Sequence, residues 1–316
     1  MSYAQYGLIE AADFNNLVGG NPVTASGKLN TVWATGGTNA GYGQTAVANV
    51  SAGSPVAASN WASLVNNTAN AATHQGSSIT SVTAPSSGGT ITFLSAIPTN
   101  LTTIYNNRLN AGSQGSTTSN TATYASTWSS AITFTHTATF ANGDAARYFF
   151  NAGGQLAITC SHPSGTGINL LLNNLASNIG TVVLSAPTSG TATIAGTAYN
   201  GITKVGGGGN SPTTSPNTGY YALTTANATV FTQTASTGPS GYLATFIRVI
   251  IRSNGTQGSN GDAGSVITIH TVWDEVPDGL VASANSATTL TVRPPSTTNI
   301  ANSWGSITLT GTVTGS

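Results

Sequence analysis

From residue 131 onward the chain repeats with a period of two. Ile132, Phe134, His136, Ala138 and Phe140 alternate with Thr and Ala, the pattern of a strand with one buried and one wetted face. Such alternation sustained over short runs, with Gly, Ser, Asn and Pro clusters between them, restricts the chain to packed antiparallel β-structure. Asn142-Gly143 supplies a hairpin turn signal. Tyr148-Phe149-Phe150, a Gly153-Gly154 turn and Leu156-Ala-Ile158-Thr-Cys160 follow it. Further strands are expected at 181–184, 191–198, 219–224, 228–233, 242–252, 265–273, 289–293 and 306–313. Ile168 to Leu175 fits a short helix or a strand.

The first 80 residues follow a different period. Ala11-Ala-Asp13-Phe14-Asn-Asn-Leu17-Val18 and Ala57-Ala-Ser59-Asn-Trp61-Ala-Ser-Leu64-Val65 each set an aromatic residue three and four positions before Leu-Val, on one helical face. Asp13 and Ser59 are suited to capping or accepting in the first turn, and the second helix is expected to stop at Gly76. Between the helices, Gly36-Gly-Thr-Asn-Ala-Gly41-Tyr42-Gly43-Gln44 is too glycine-rich for helix or regular strand. A helical hairpin of this size buries little by itself. Residues 1–80 therefore read as an attachment domain, with Phe14, Leu17, Trp61 and Leu64 as candidate docking residues. Residues 81–130 read as a linker with one short helix near Pro98–Leu109 and a flexible or extended joint from Gly112 to Tyr124. The expected fold is mainly β: a small helical N-terminal docking unit followed, over 131–316, by an antiparallel β-sandwich-like domain.

Charge narrows the function classes. Only 4% of residues are charged, 7 Lys+Arg against 7 Asp+Glu, where an ordinary globular protein carries about 25%. Nucleic-acid backbones and anionic membranes require clustered cations. Here Lys28, Arg108, Arg147, Lys204, Arg248, Arg252 and Arg293 are scattered. Neutrality also removes a barrier to self-association, so copies of the chain itself are expected partners. No run reaches the length of a membrane-spanning helix, and no secretory signal opens the chain. Synthesis in a cytoplasm, without a recognisable export signal, is the expectation.

Catalytic and metal-binding chemistry find little support. Asp274, Glu275 and Asp278 form the one acidic cluster, beside Pro277 and Gly279, and read as a solvated turn rather than a glycosidase pair. His74, His136, His162 and His270 have no zinc spacing. Gly206–Gly209 lacks the Lys-Ser/Thr of a phosphate loop. Cys160, the one cysteine, reads as an inert core thiol. Trp273 and Trp304 are candidates for a sugar-stacking platform, with core packing the more common role. No catalytic residue, cofactor or metal site is assigned. The tract 254–264 reads as a long loop between two strong strands, with Asn254, Gly255, Asn260 and Asp262 as candidate surface contacts.

Several of these motifs resemble virion structural proteins of cyanophages and other marine tailed phages. In the N-terminal part they are Ala11–Val18, Gly41-Tyr-Gly-Gln44, and Trp61-x-x-Leu64 running to His74-Gln-Gly76. Beyond residue 131 they are Phe140-Ala-Asn-Gly-Asp-Ala-Ala-Arg-Tyr-Phe-Phe-Asn-Ala-Gly-Gly154, Gly219-Tyr-Tyr-Ala-Leu223, Arg252-Ser-Asn-Gly255, Ile267–Trp273 and Asn302-Ser-Trp-Gly305. The resemblance implies a tail-fibre-like subunit of a virion that is not an enzyme. Its partners would be further copies (a trimer, on the analogy of fibres), other tail, baseplate or neck proteins, and host surface glycan. A neck, collar or capsid-decoration protein is the nearest alternative. A glycan depolymerase and a bacterial surface filament are the remoter ones.

Overall fold

The computed structural model describes residues 10–92, 95–208, 213–214, 218–235, 244–274 and 280–315. The chain is mainly β. Its elements run α1 (Ala11–Val18), α2 (Leu29–Val32), α3 (Ala58–Gln75), α4 (Ala96–Asn106), β1 (Thr118–Tyr124), β2 (Ile132–Thr139), α5 (Gly143–Asn151), β3 (Gln155–Ser161) and α6 (Ile168–Ile179). They continue as β4 (Thr181–Leu184), β5 (Ala192–Ile194), β6 (Thr197–Tyr199), β7 (Ile202–Val205), β8 (Thr213–Thr214), β9 (Ala228–Thr234), β10 (Phe246–Ser253), β11 (Val266–Asp274), β12 (Ser286–Arg293) and β13 (Thr308–Gly315).

Both long N-terminal helices form where the aromatic-to-Leu-Val spacing predicts. At α1 the backbone N–H of Glu10 donates to Asp13 Oδ2 at 3.0 Å. At α3 the N–H of Ala57 donates to Asn60 Oδ1 at 3.0 Å. Asp13 is thus the first-turn acceptor expected of it, whereas Asn60 takes the place expected of Ser59. Gly76 ends α3 with φ +67°, the left-handed conformation that glycine adopts without a Cβ clash. Around Pro98 the expected helix forms as α4.

Two sheets form a sandwich. One has the order β1-β12-β3-β4-β7 and the other β13-β2-β11-β10-β9-β8, with β5-β6 as a separate hairpin. Among the described residues every strand pairing within the two sheets is antiparallel. Inward residues of β2 are buried in strict alternation. Among them His136 reaches across the sandwich to Thr288 of β12, Nε2 to Oγ1 at 2.8 Å. Trp273 of β11 fills the same interior against Phe134 and Trp128.

Three expectations are corrected. The Gly112–Tyr124 tract contains no joint over 118–124: that stretch is β1, an edge strand paired residue for residue with β12. Asn142-Gly143 opens helix α5 instead of a hairpin, so Tyr148-Phe149-Phe150 is helical. The 219–224 segment is a 3-10 turn over Tyr220–Ala222, and 168–179 is resolved as helix α6. The helices and the sandwich share one continuous apolar core that runs from Phe14 through Trp61 and Phe149 to Trp304. Among the described residues no helix is long and apolar enough to cross a membrane.

Candidate functional site

The residues expected to dock a partner are inside the molecule. Phe14, Leu17, Trp61 and Leu64 are at most 2% exposed. Phe14 and Trp61 meet edge to face with centroids 5.1 Å apart. The helical face that carries them is covered by α2, α4 and the rest of the shared core. The periodicity identified a buried face correctly, but its cover is this same chain, so any partner of the N-terminal region must use other side chains.

The site is best built from α5, where the Phe140–Gly154 motif lies. Asn142 caps the helix, its Oδ1 accepting from Ala145 N at 2.8 Å. Gly143 is required by close approach: a Cβ there would stand 1.9 Å from the carbonyl oxygen of Asp262. Arg147, 1% exposed, is held on three sides. It donates to Asp144 Oδ1 (2.9 and 3.1 Å), to Ala40 O at 2.7 Å and to Thr35 O at 2.9 Å. A charge this deep is tolerated because each of its three nitrogens has an acceptor. Asp144 in turn accepts from Gly261 N, at 3.2 and 3.3 Å. The 254–264 loop is therefore seated on the start of α5.

That loop is an ordered structure. Asn254 Oδ1 accepts from Ser265 N (2.8 Å) and Val266 N (2.9 Å), closing its base. Asp262 accepts from Ser259 N across its tip. Asn254 and Asn260 are exposed, while Gly255 and Asp262 are half-buried. Of the four expected contact residues, Asn260 and Asn254 face solvent, and Asn254 together with Asp262 also holds the loop in shape.

On its other side α5 binds the glycine-rich loop. Asn151 Nδ2 donates to Gly41 O at 3.1 Å and its Oδ1 accepts from Tyr221 Oη at 2.5 Å. A Cβ at Gly43 would lie 2.4 Å from the Tyr148 ring. Arg108 grips Asn39 through Nε and Nη2, with the shortest contact 2.7 Å. Tyr42 donates to Arg108 O at 2.9 Å and accepts from Gln75 Nε2 at 2.8 Å, and burial pushes its phenol well above the usual range. His74 lies 3.0 Å from Ala152 O, and burial lowers it to about 4. Segments far apart in the sequence, the glycine-rich loop, the end of α3 and Tyr221, thus meet at this helix.

Other candidates are structural. Ser286 Oγ lies 2.8 Å from His162 Nδ1, and His162 Nε2 lies 3.1 Å from Asn169 Oδ1. This has the connectivity of a hydrolytic triad, but Ser286 is fully buried and also accepts from Trp128 Nε1 at 3.1 Å. No substrate carbonyl reaches it, and the cluster ties β12 to α6. No sequence motif marked it. Trp273 and Trp304 are buried in the core and offer no platform. Asp274 ends β11, while Glu275 and Asp278 lie outside the described residues, as do Gly209 and residues 242–243. Cys160 is half-buried and its thiol is pushed up to about 12 by burial. Among the described residues no group of three or more His, Cys, Asp or Glu could hold a metal ion.

The outer face of the six-stranded sheet is the molecule's most regular surface. Thr308, Thr310, Thr312 and Thr314 of β13 stand opposite Thr139, Thr137, Thr135 and Thr133 of β2. On the far side of β2, Thr268 and His270 of β11 continue two of these rows. Thr137 and Thr310 hydroxyls meet at 2.6 Å, and Thr135 meets His270 Nδ1 at 3.0 Å. Burial and the nearby Arg252 lower the pKa of His270. The β13–β2–β11 half of the face is thus a neutral lattice of hydroxyls and methyls.

No family model, no curated protein and no solved structure matches this chain.

Proposed function

We propose that the chain is a structural subunit of a tailed-phage virion, a tail-fibre or appendage protein that presents its β-sandwich to the host surface and is not an enzyme. The observation that carries this reading is the neutral threonine face of β13, β2 and β11. Hydroxyl rows in register present donors and acceptors at the strand spacing. Such a face suits neutral polyols or a second copy of itself, with Arg252 of β10 standing beside Thr268 at its border. The ordered 254–264 loop lies at the end of the same sheet, joining β10 to β11. The resemblance of Gly41–Gln44 and Phe140–Gly154 to tailed-phage virion proteins points the same way, and these two motifs are joined by the Asn151–Gly41 hydrogen bond. Partners are further copies of the chain and neighbouring tail, baseplate or neck proteins.

Immunogold labelling of purified virions with an antibody against this chain tests the reading. Label at the tail end is the expected result. Label at the head or neck would keep a structural role and remove host contact. Unlabelled particles that still contain no copy of the chain by mass spectrometry would overturn the proposal.

A further inference from the structure

Where the glycine-rich loop, the 186–190 turn, Tyr221 and the tip of the 254–264 loop meet, they enclose a cavity of about 300 Å3. That volume is at the small end of ligand pockets, which run from about 300 to 1,000 Å3. It suits one six-membered ring rather than an extended chain. It opens to solvent past Thr38 and Ser189, both exposed.

The walls define the ligand's chemistry. Asn39, Thr188 and Ser189 supply neutral polar groups, and Leu109 and Tyr221 supply apolar surface. Among the described residues no acidic or basic side chain borders the cavity. The nearest guanidinium, Arg108, is occupied: it donates to Asn39 Oδ1 and to Tyr105 O at 2.9 Å. Because Arg108 occupies the amide oxygen of Asn39, Nδ2 is the group left to donate. The Thr188 and Ser189 hydroxyls have no hydrogen-bond partner among the described residues. Gln257 borders the cavity with its carboxamide turned away into its own loop: Oε1 and Nε2 are shielded from solvent, and a Cβ at Gly264 would stand 2.6 Å from Nε2. Tyr221, tethered through its hydroxyl to Asn151, holds its ring still as an apolar wall.

We propose that this cavity is a binding site for a single neutral sugar ring. Its hydroxyls would be met by Asn39, Thr188 and Ser189, and its C–H surface by Tyr221 and Leu109. The proposal deepens the host-contact reading above and rests on it for the source of the sugar, a surface glycan. One small pocket binds weakly, and repeated copies on an appendage multiply that affinity.

Saturation-transfer NMR on the full chain, with free neutral hexoses, N-acetylhexosamines and 6-deoxyhexoses as probes and uronic and sialic acids as controls, tests it. At least one neutral sugar is expected to receive saturation. Ser189→Trp, which fills the mouth, is expected to abolish the signal. Thr188→Val, which keeps the shape and removes the hydroxyl, is expected to weaken binding about fivefold. Circular dichroism and thermal melts establish that both variants stay folded. No transfer to any neutral sugar, a preference for the acidic controls, or wild-type signals in both folded variants would each sink the site. A labelled tail without sugar binding would remove the pocket alone. Sugar binding by a chain absent from virions would remove the virion reading alone.

Discussion

Arg147 shows how much of this molecule depends on single polar residues. Among the described residues it forms the one ion pair, with Asp144, and it also holds two carbonyls of the glycine-rich loop. Replacing it with Met leaves Asp144 and both carbonyls without their charge-assisted donor. A loss of about 3 kcal/mol is expected in urea unfolding, against less than about 0.5 kcal/mol for the exposed Arg252→Ala. Equal losses would mean that the buried fork holds nothing. His74 leads to a second residue-scale prediction. Its pKa falls from 6.5 unfolded to about 4 folded because burial disfavours the cation. A depressed folded value means the unfolded chain binds the proton first. The associated stability is therefore fully present above pH 6.5 and lost as pH falls towards 4, by at most about 3 kcal/mol. His74→Gln should flatten that acid limb, and an unchanged pH profile would contradict the assignment. Sequence reading at this scale was limited for a plain reason. The role of Asn142-Gly143 depends on the carbonyl of Asp262, well over a hundred residues away, and no local propensity encodes that neighbour.

Elements whose burial follows their own period were legible. β2 and β11 fall where alternation places them, β4 and β9 within the ranges expected for strands, and α1 and α3 where the helical spacing does. β1 was not, because Thr118–Tyr124 buries only Ala122. An edge strand made of Ser, Thr and Asn has almost no apolar signal, and its order comes from β12 beside it. Hydroxyl pairs add to the ladder, Ser119 with Thr291 and Thr121 with Thr289, each at 2.8 Å. The strand therefore predicts slow amide exchange where a joint predicts none. The β1 amides bonded to β12 should exchange on the order of 100-fold more slowly than those of the extended segment 83–87, the factor that about 2.8 kcal/mol of local stability confers. Equal exchange in the two segments would restore the flexible joint.

Across the whole molecule, the division into a docking unit, a linker and a β domain does not match the packing. Gln44 exchanges a pair of hydrogen bonds with Ala301, at 2.8 and 2.9 Å, joining the first fifty residues to the last twenty. Ser303 donates to Tyr42 O, and Tyr42 sits fully buried between α3 and α4 through Gln75 and Arg108. Breaks in period along the sequence mark changes of element, and they say nothing about whether those elements share a core. Because they do, removing residues 1–80 would expose the side of α5 that Thr35, Ala40 and Gly41 now cover, and would strip Arg147 of two acceptors. Calorimetry of the full chain should then give one transition with matching calorimetric and van't Hoff enthalpies. A fragment spanning 81–316 should bind a hydrophobic dye and melt without cooperativity. Two resolved transitions, the second reproduced by that fragment, would instead restore an independent β domain. The same outcome would change how the proposed subunit works, since a separable sandwich could swing on its attachment. A single core instead makes the threonine face and the sugar pocket rigid relative to whatever surface anchors the chain, so that copies present them at a constant spacing.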